Sequence, residues 1–273
     1  MFQTRRSRNK IQAAFAIFNL IYYQAAYEVR KSHRNALFSL SKLIVSTLIM
    51  LATLYATMWI LGFRHARIRG DYIVYLLSGV FLYMAHISAV SAVASAGAPS
   101  NPLLKHPPLT AAVNICAAAL AALYLNVLSI ALILYVYHAG WGPIEIENWG
   151  GALGMLILTW FDGIGVGLIF LALTPWMPGL SPILRTIYIR VNMVASGKMF
   201  VANTMSQHMR DMFDWNPLFH TIDQSRGFLF LNYTPLYSNW VYAFWVGLAL
   251  VVIGMMGEFY TRQRASASWS ARS

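Results

Sequence analysis

This chain is poor in charge, in acids and in cysteine. Of its 273 residues only 11% are charged, against about 25% in an ordinary soluble domain. That shortage excludes a soluble globular fold. Cys116 is the single cysteine and lies in an apolar run, so no intrachain disulfide and no thiolate metal site can form. No Gly-x-x-x-x-Gly-Lys-Ser/Thr phosphate loop occurs, which argues against nucleotide hydrolysis by the chain itself. His208 and His220 lack a third ligand at a credible spacing, so no metal is expected. Thr4-Arg5-Arg6-Ser7-Arg8 is followed by no clean apolar core and no small-residue cleavage site. This end reads as an uncleaved cytoplasmic N-terminus.

What the chain does have is apolar sequence, 58% of it, in long continuous runs. Continuous runs exclude a transmembrane barrel, whose strands alternate. They predict membrane-spanning helices over about 43–62, 72–95, 109–137, 149–174 and 240–257. A sixth span over 183–205 carries Arg185, Arg190 and Lys198. Parity argues for it, because only six spans keep Arg262, Arg264 and Arg272 on the side of Arg5, Arg6, Arg8 and Lys10. The net charge of +11 gathers at these two ends. That is the positive-inside pattern, with both termini cytoplasmic. It fits anionic lipid headgroups rather than nucleic acid.

The expected architecture is all-α. Residues 1–42 form a cytoplasmic N-terminus, 43–260 a six-span domain and 261–273 a cytoplasmic tail. In the first part Ile11, Phe15, Phe18, Tyr22, Ala25 and Val29 recur at spacings of three and four, one face of a helix. Glu28 and Arg30 stand near its end. Such a helix lies in the headgroup plane or on the protein's own rim. Between spans two and three, Asn101 can cap a short helix that Pro102 opens and Pro107 and Pro108 stop. It presents Leu103, Leu104 and Lys105, and its two leucines call for a partner. Span four contains Asp162 and Gly163-Ile-Gly-Val-Gly167. Without a strand before it, the glycine run means close helix packing, not a dinucleotide loop. Asp162, Arg190 and Lys198 lie at membrane depth, where ionisable groups pair or face a wet interior. They are candidates for structural pairs or for a cationic translocation path.

The segment Trp215-Asn-Pro-Leu-Phe-His-Thr-Ile-Asp-Gln-Ser-Arg226 is the most informative. Asn216 can cap a helix with Pro217 at its first position. Asn216, His220 and Asp223 then share a face, with Arg226 a further three along. Asp223 can pair with Arg226 or with His220. Residues 206–239 as a whole are expected to form re-entrant or interfacial helices, with the polar face wet and Phe219 toward lipid or protein. Two roles stay open: satisfying buried backbone where a re-entrant chain reverses, or touching an exported polar substrate.

The layout and this motif resemble the permease subunit of ABC-2-type exporters, in the capsular polysaccharide and O-antigen branch. Tyr27-Glu28-Val29-Arg30 is similar to that family's N-terminal Arg-Glu-containing stretch. Asn101-Pro-Leu-Leu-Lys-His-Pro-Pro108 is similar to its cytoplasmic coupling loop. The resemblance covers roughly residues 10–260. It implies a multi-pass protein of the bacterial inner membrane that works as a homodimer with two cytoplasmic ATPase subunits. ATP and Mg would sit on those partners, with no cofactor in this chain. The cargo would be a lipid-linked or lipid-anchored polysaccharide, and the capsule branch also docks periplasmic and outer-membrane export proteins. The helix at 101–106 would then couple to the ATPase, and the chain would be no enzyme by itself. Two rivals remain. One is a membrane-embedded glycan- or lipid-modifying enzyme with His220 and Asp223 as acid and base. The other is a drug-efflux permease of the same superfamily.

Overall fold

The computed structural model describes residues 10–31, 36–62, 68, 70–97 and 110–270. They form α1 (Lys10–Lys31), α2 (Ala36–Ile60), α3 (Tyr72–Ala96), α4 (Ala111–Gly140), α5 (Trp149–Leu173), α6 (Leu180–Ala195), α7 (Gln207–Asp211), α8 (Pro217–Leu229) and α9 (Trp240–Ser270). Five helices, α2, α3, α4, α5 and α9, are long and apolar enough to cross a bilayer. The chain is an all-α, multi-pass membrane protein. The proposed coupling residues Asn101, Leu103, Leu104 and Lys105 lie outside the described residues.

Caps fix where the spans begin. The Asp71 carboxylate accepts from Ile73 N at 2.8 Å, the Thr110 hydroxyl from Val113 N and the Asn148 amide from Gly151 N. Each satisfies an amide that the first helical turn leaves open. Asp71 and Asn148 mark one end of the bundle, called the upper rim here. Ala96 and Leu173 mark the lower rim.

α3 is the central helix. It is mostly apolar, and most of it is buried, as expected of a helix packed among other helices. α2, α4, α5 and α8 pack around it. α5 runs in the same direction. A Cβ on Gly163 would stand 2.7 Å from His86 O, and one on Gly167 would stand 2.8 Å from Val93 Cβ. α9 also runs downward, with Gly247 against Asp162 and Gly254 against Leu168. The glycine run of α5 therefore serves close packing, as its sequence context predicted.

α6 rises beside α3. The Arg185 guanidinium donates to the Ser95 hydroxyl at 3.1 Å. Higher up, the Tyr83 hydroxyl donates to Ile189 O at 2.9 Å, and the Tyr75 hydroxyl donates to Met199 O at 3.2 Å. Residues 185–199 thus pass α3 from Ser95 to Tyr75, about 30 Å at 1.5 Å per residue. The expected sixth span over 183–205 is only in part a helix. α6 stops at Ala195, and Gly197, at φ +66, lets the chain turn. Non-helical backbone covers more length per residue and completes the rise. With 16 residues α6 is too short a helix to cross a bilayer by itself.

α1 packs on α4, where buried Gln24 donates to Asn114 Oδ1 at 2.9 Å. The predicted apolar face splits. Ala25, Glu28 and Val29 are half-buried, while Phe15, Phe18, Tyr22 and Arg30 stay exposed. One end of the helix packs on protein, and its aromatic end is exposed.

Candidate functional site

After Met199 the chain turns at the upper rim, descends, and climbs again as α8. The Asn203 amide bridges to the far arm, donating to Thr234 O at 2.8 Å and accepting from Leu236 N. Asn216 marks the lowest point. It caps α8, accepting from Leu218 N at 3.1 Å, and its amide donates to Asn192 Oδ1 and Ala195 O. Those partners stand between the levels of Tyr83 and Tyr75, so the dip reaches roughly 10 Å below the start of α3. α8 then returns to the rim, where Phe228 O accepts from Asn148 N at 2.9 Å. Residues 203–239 thus form an element that descends from the upper rim to Asn216 and returns along α8.

The polar face of α8 is not wet. Asn216, His220, Asp223 and Arg226 are all buried. Residues 196–205 cover it from one side and 230–239 from the other. His220 Nε2 lies 2.7 Å from Asp214 O, and its Nδ1 accepts from Asn239 N at 3.1 Å. A carbonyl only accepts and an amide only donates, which fixes the neutral Nε2–H tautomer. Asp223 accepts from the Tyr233 hydroxyl, from the Ser238 hydroxyl at 2.7 Å and from Ala202 N. Burial, and then this carboxylate, push the Tyr233 phenol well above its ordinary value. It stays a donor. Arg226 donates to Lys198 O at 2.6 Å and to Phe200 O, with its guanidinium 4.3 Å from the Tyr75 ring centre. Each expected residue is therefore in the element, but the expected pairing of Asp223 with Arg226 or His220 is replaced by bonds to the covering loops. Phe219 turns into protein, stacked on Phe213. Trp215 is exposed, and the Tyr242 hydroxyl donates to its carbonyl.

A second polar seam runs below this element. His86 of α3 donates from Nδ1 to Thr159 O at 3.2 Å and accepts at Nε2 from the Tyr188 hydroxyl at 2.8 Å. Asn192 donates to Tyr188 O and accepts from Asn216. The seam thus joins α3, α5, α6 and α8. The sequence shows these residues but not their meeting, since they lie up to 130 positions apart along the chain. Tyr75, Gly79 and Tyr83, spaced by four on α3, were the legible signal. Gly79 leaves room for the Lys198 backbone and the Arg226 guanidinium, and the two rings receive the two cations.

Of the three candidate path residues, Arg190 is exposed on α6. Lys198 is fully buried, its ammonium 3.6 Å from the Tyr83 ring centre and without a hydrogen-bond partner. Asp162 is fully buried halfway along α5, and both its oxygens lack a partner. Neither expected pair, Asp162 with Arg190 or with Lys198, forms among the described residues. A buried polar group without a hydrogen-bond partner costs about 1–3 kcal/mol. Asp162→Leu, of similar size and without polar side-chain atoms, is therefore expected to stabilise the protein by about 1–2 kcal/mol, roughly 2–8 °C in Tm. A lower Tm in a thermal melt of the purified variant would refute this.

No protein-family model matches the chain, and no curated protein matches it. The ABC-2 resemblance rests on the residues quoted above.

Proposed function

We propose that this chain is the membrane-spanning subunit of an exporter driven by a separate ATPase, and that its cargo is a lipid-linked or lipid-anchored polysaccharide. The observation that carries the reading is the descending and returning element at 203–239, which we read as re-entrant. It dips into the upper side between α6 and α9 and sets exposed Trp215, Tyr237 and Trp240 at its surface. Flat exposed rings suit the apolar faces of sugars. Counting the rise of residues 180–199 as a sixth crossing returns α9 to the side where α2 begins. In this reading that lower side is cytoplasmic, and the membrane is the bacterial inner membrane. Two copies would work with two ATPase subunits holding ATP and Mg. Periplasmic and outer-membrane export proteins would be further partners.

The rival enzyme reading needs a free acid and a free base. Both His220 nitrogens and both Asp223 oxygens are engaged by protein groups, which favours the permease.

The decisive experiment is co-expression with a candidate ABC-type ATPase subunit, followed by purification. The expected result is a complex in which ATP hydrolysis depends on this chain and from which a glycan lipid is extracted. A chain that purifies alone, binds no ATPase and modifies a glycan would overturn the proposal. A small-molecule cargo carried with the ATPase would point to the drug-efflux rival instead.

The bonds of His220 and Asp223 set a further expectation. His220→Ala and Asp223→Asn should lower protein abundance and export together, each by about 1–3 kcal/mol of stability. Normal abundance with export lost, read by immunoblot beside surface glycan, would instead give these side chains a direct gating role.

A further inference from the structure

Near the lower rim a cleft of about 510 Å³ opens between α1, α2, α3 and α4. Its walls are unusual for the interior of a membrane protein. Ser46, Ser88, Ser91 and Lys42 line it, together with Glu28 and small alanines of α4. Ser88 stands eight residues above Ala96, roughly 12 Å from the rim. Hydroxyls at such depth normally bond back to the carbonyl four residues earlier. Thr47, Thr53, Thr159 and Thr174 all do so here. Ser46, Ser88 and Ser91 do not, and no other described group takes their hydroxyls. Half-buried Ser88 and Ser91 and exposed Ser46 thus offer hydroxyls with no protein partner to whatever enters the cleft.

A second space adjoins the first. The groove between α1 and α4, about 710 Å³, shares Val29 and Ala121 with the cleft. It is apolar, lined by Phe18, Tyr22, Leu120, Tyr124 and Val127, with Arg30 at its border. A polar cleft continuing into an apolar groove has the form of an amphiphile. The charges narrow its headgroup. Lys42 and Arg30 suit a phosphate. The serines suit hydroxyls, which both donate to and accept from serine. A headgroup bearing phosphate and hydroxyls together meets all of them, and the cationic end of a membrane protein gathers anionic lipid.

We infer that the cleft and groove together hold one membrane phospholipid with a phosphoglycerol headgroup. Its phosphate lies on Lys42, its glycerol hydroxyls on Ser88 and Ser91, and one acyl chain runs along Phe18, Tyr22 and Tyr124. This rests on the membrane placement of the chain and not on the exporter reading. ATPase binding and lipid binding can fail independently.

The test is native mass spectrometry of the full-length protein purified from bacterial membranes in mild detergent, with extraction of the bound lipid. Wild type should retain phosphatidylglycerol. The double variant Ser88→Ala, Ser91→Ala should lose it at least about fivefold, as expected for two neutral hydrogen bonds. Its melting temperature after delipidation should equal that of delipidated wild type. Vesicles of phosphatidylglycerol should raise the wild-type melting temperature, and vesicles of phosphatidylcholine should not. Exposed Lys42→Gln cannot unfold the chain and should weaken retention as well. The inference falls if wild type carries no lipid, or if both variants retain it like wild type. It falls equally if phosphatidylcholine serves as well, or if the extracted amphiphile is a glycan carrier.

Discussion

Replacing Arg226 with Met is expected to cost about 3–5 kcal/mol, which in detergent should leave little folded protein. The guanidinium is completely buried. It donates to Lys198 O and Phe200 O and stacks on Tyr75. Each hydrogen bond from a charged donor is worth about 1.5–3 kcal/mol. Methionine fills much of the volume but leaves two buried carbonyls without donors. Those carbonyls belong to the non-helical stretch that completes the rise of the chain past α3, where no helical ladder can replace the lost partner. Arg226→Lys should recover little, since an ammonium is a point charge and cannot fork between two carbonyls. Unfolding in mixed micelles, followed by near-UV circular dichroism, measures the loss. A cost under about 1 kcal/mol would show that the stretch holds itself in place.

The same residue shows what could be read from sequence and what could not. The polar residues of 215–226 announced a device, and the Asn216 cap with Pro217 behind it announced where its helix begins. Both features are local, and both are present. Which way the polar face turns is not local. It depends on residues 196–205 and 230–239, whose bonds to His220, Asp223 and Arg226 join positions 10 to 28 apart along the chain. An isolated helix with that face would show it to water. Here the two covering loops take it, and the face that was expected to be wet is the most enclosed part of the element.

Charge was legible in the same uneven way. Asp162, Arg190 and Lys198 stood out because membrane depth makes any ionisable group costly. Pairing was the economical expectation, but the fold separates them. Arg190 sits on the exposed side of α6, Lys198 lies past the helix end over Tyr83, and Asp162 faces the gap left by Gly247. Periodicity fixes the face of a residue on its own helix. It does not by itself say where a helix ends: α6 stops at Ala195, just before Gly197, and a lone glycine within a membrane span is as readily read as a packing residue. The five apolar spans were plain because twenty apolar residues leave few alternatives.

The glycines of α5 give the second large effect. Gly163→Val is expected to destabilise by about 3 kcal/mol or more, toward the upper end of overpacking costs. A Cβ at 163 would stand 2.7 Å from His86 O, 2.9 Å from Ala89 Cβ and 3.3 Å from His86 Cα. Two of those atoms are backbone of the central helix and cannot swing aside as a side-chain end can. α3 and α5 would have to part, and parting them breaks the His86 to Thr159 bond and loosens the seam that carries α6. Gly165→Val should act on the other side of α5 with similar force, since its Cβ would meet Leu250 Cβ at 2.8 Å and Val251 N at 3.1 Å. Gly154→Ala is the control. Nothing lies within 4 Å of its Cβ position, so alanine should be neutral or stabilise by up to about 1 kcal/mol through helix propensity. Thermal melts of the three variants, run side by side with wild type, test the ordering. If Gly163→Val and Gly165→Val melt with Gly154→Ala, the close α3–α5–α9 contacts are not what holds the bundle together. Separation of the first two from the third locates the cohesion of this protein in the glycine faces of one helix, where no hydrophobic force between spans is available to replace them.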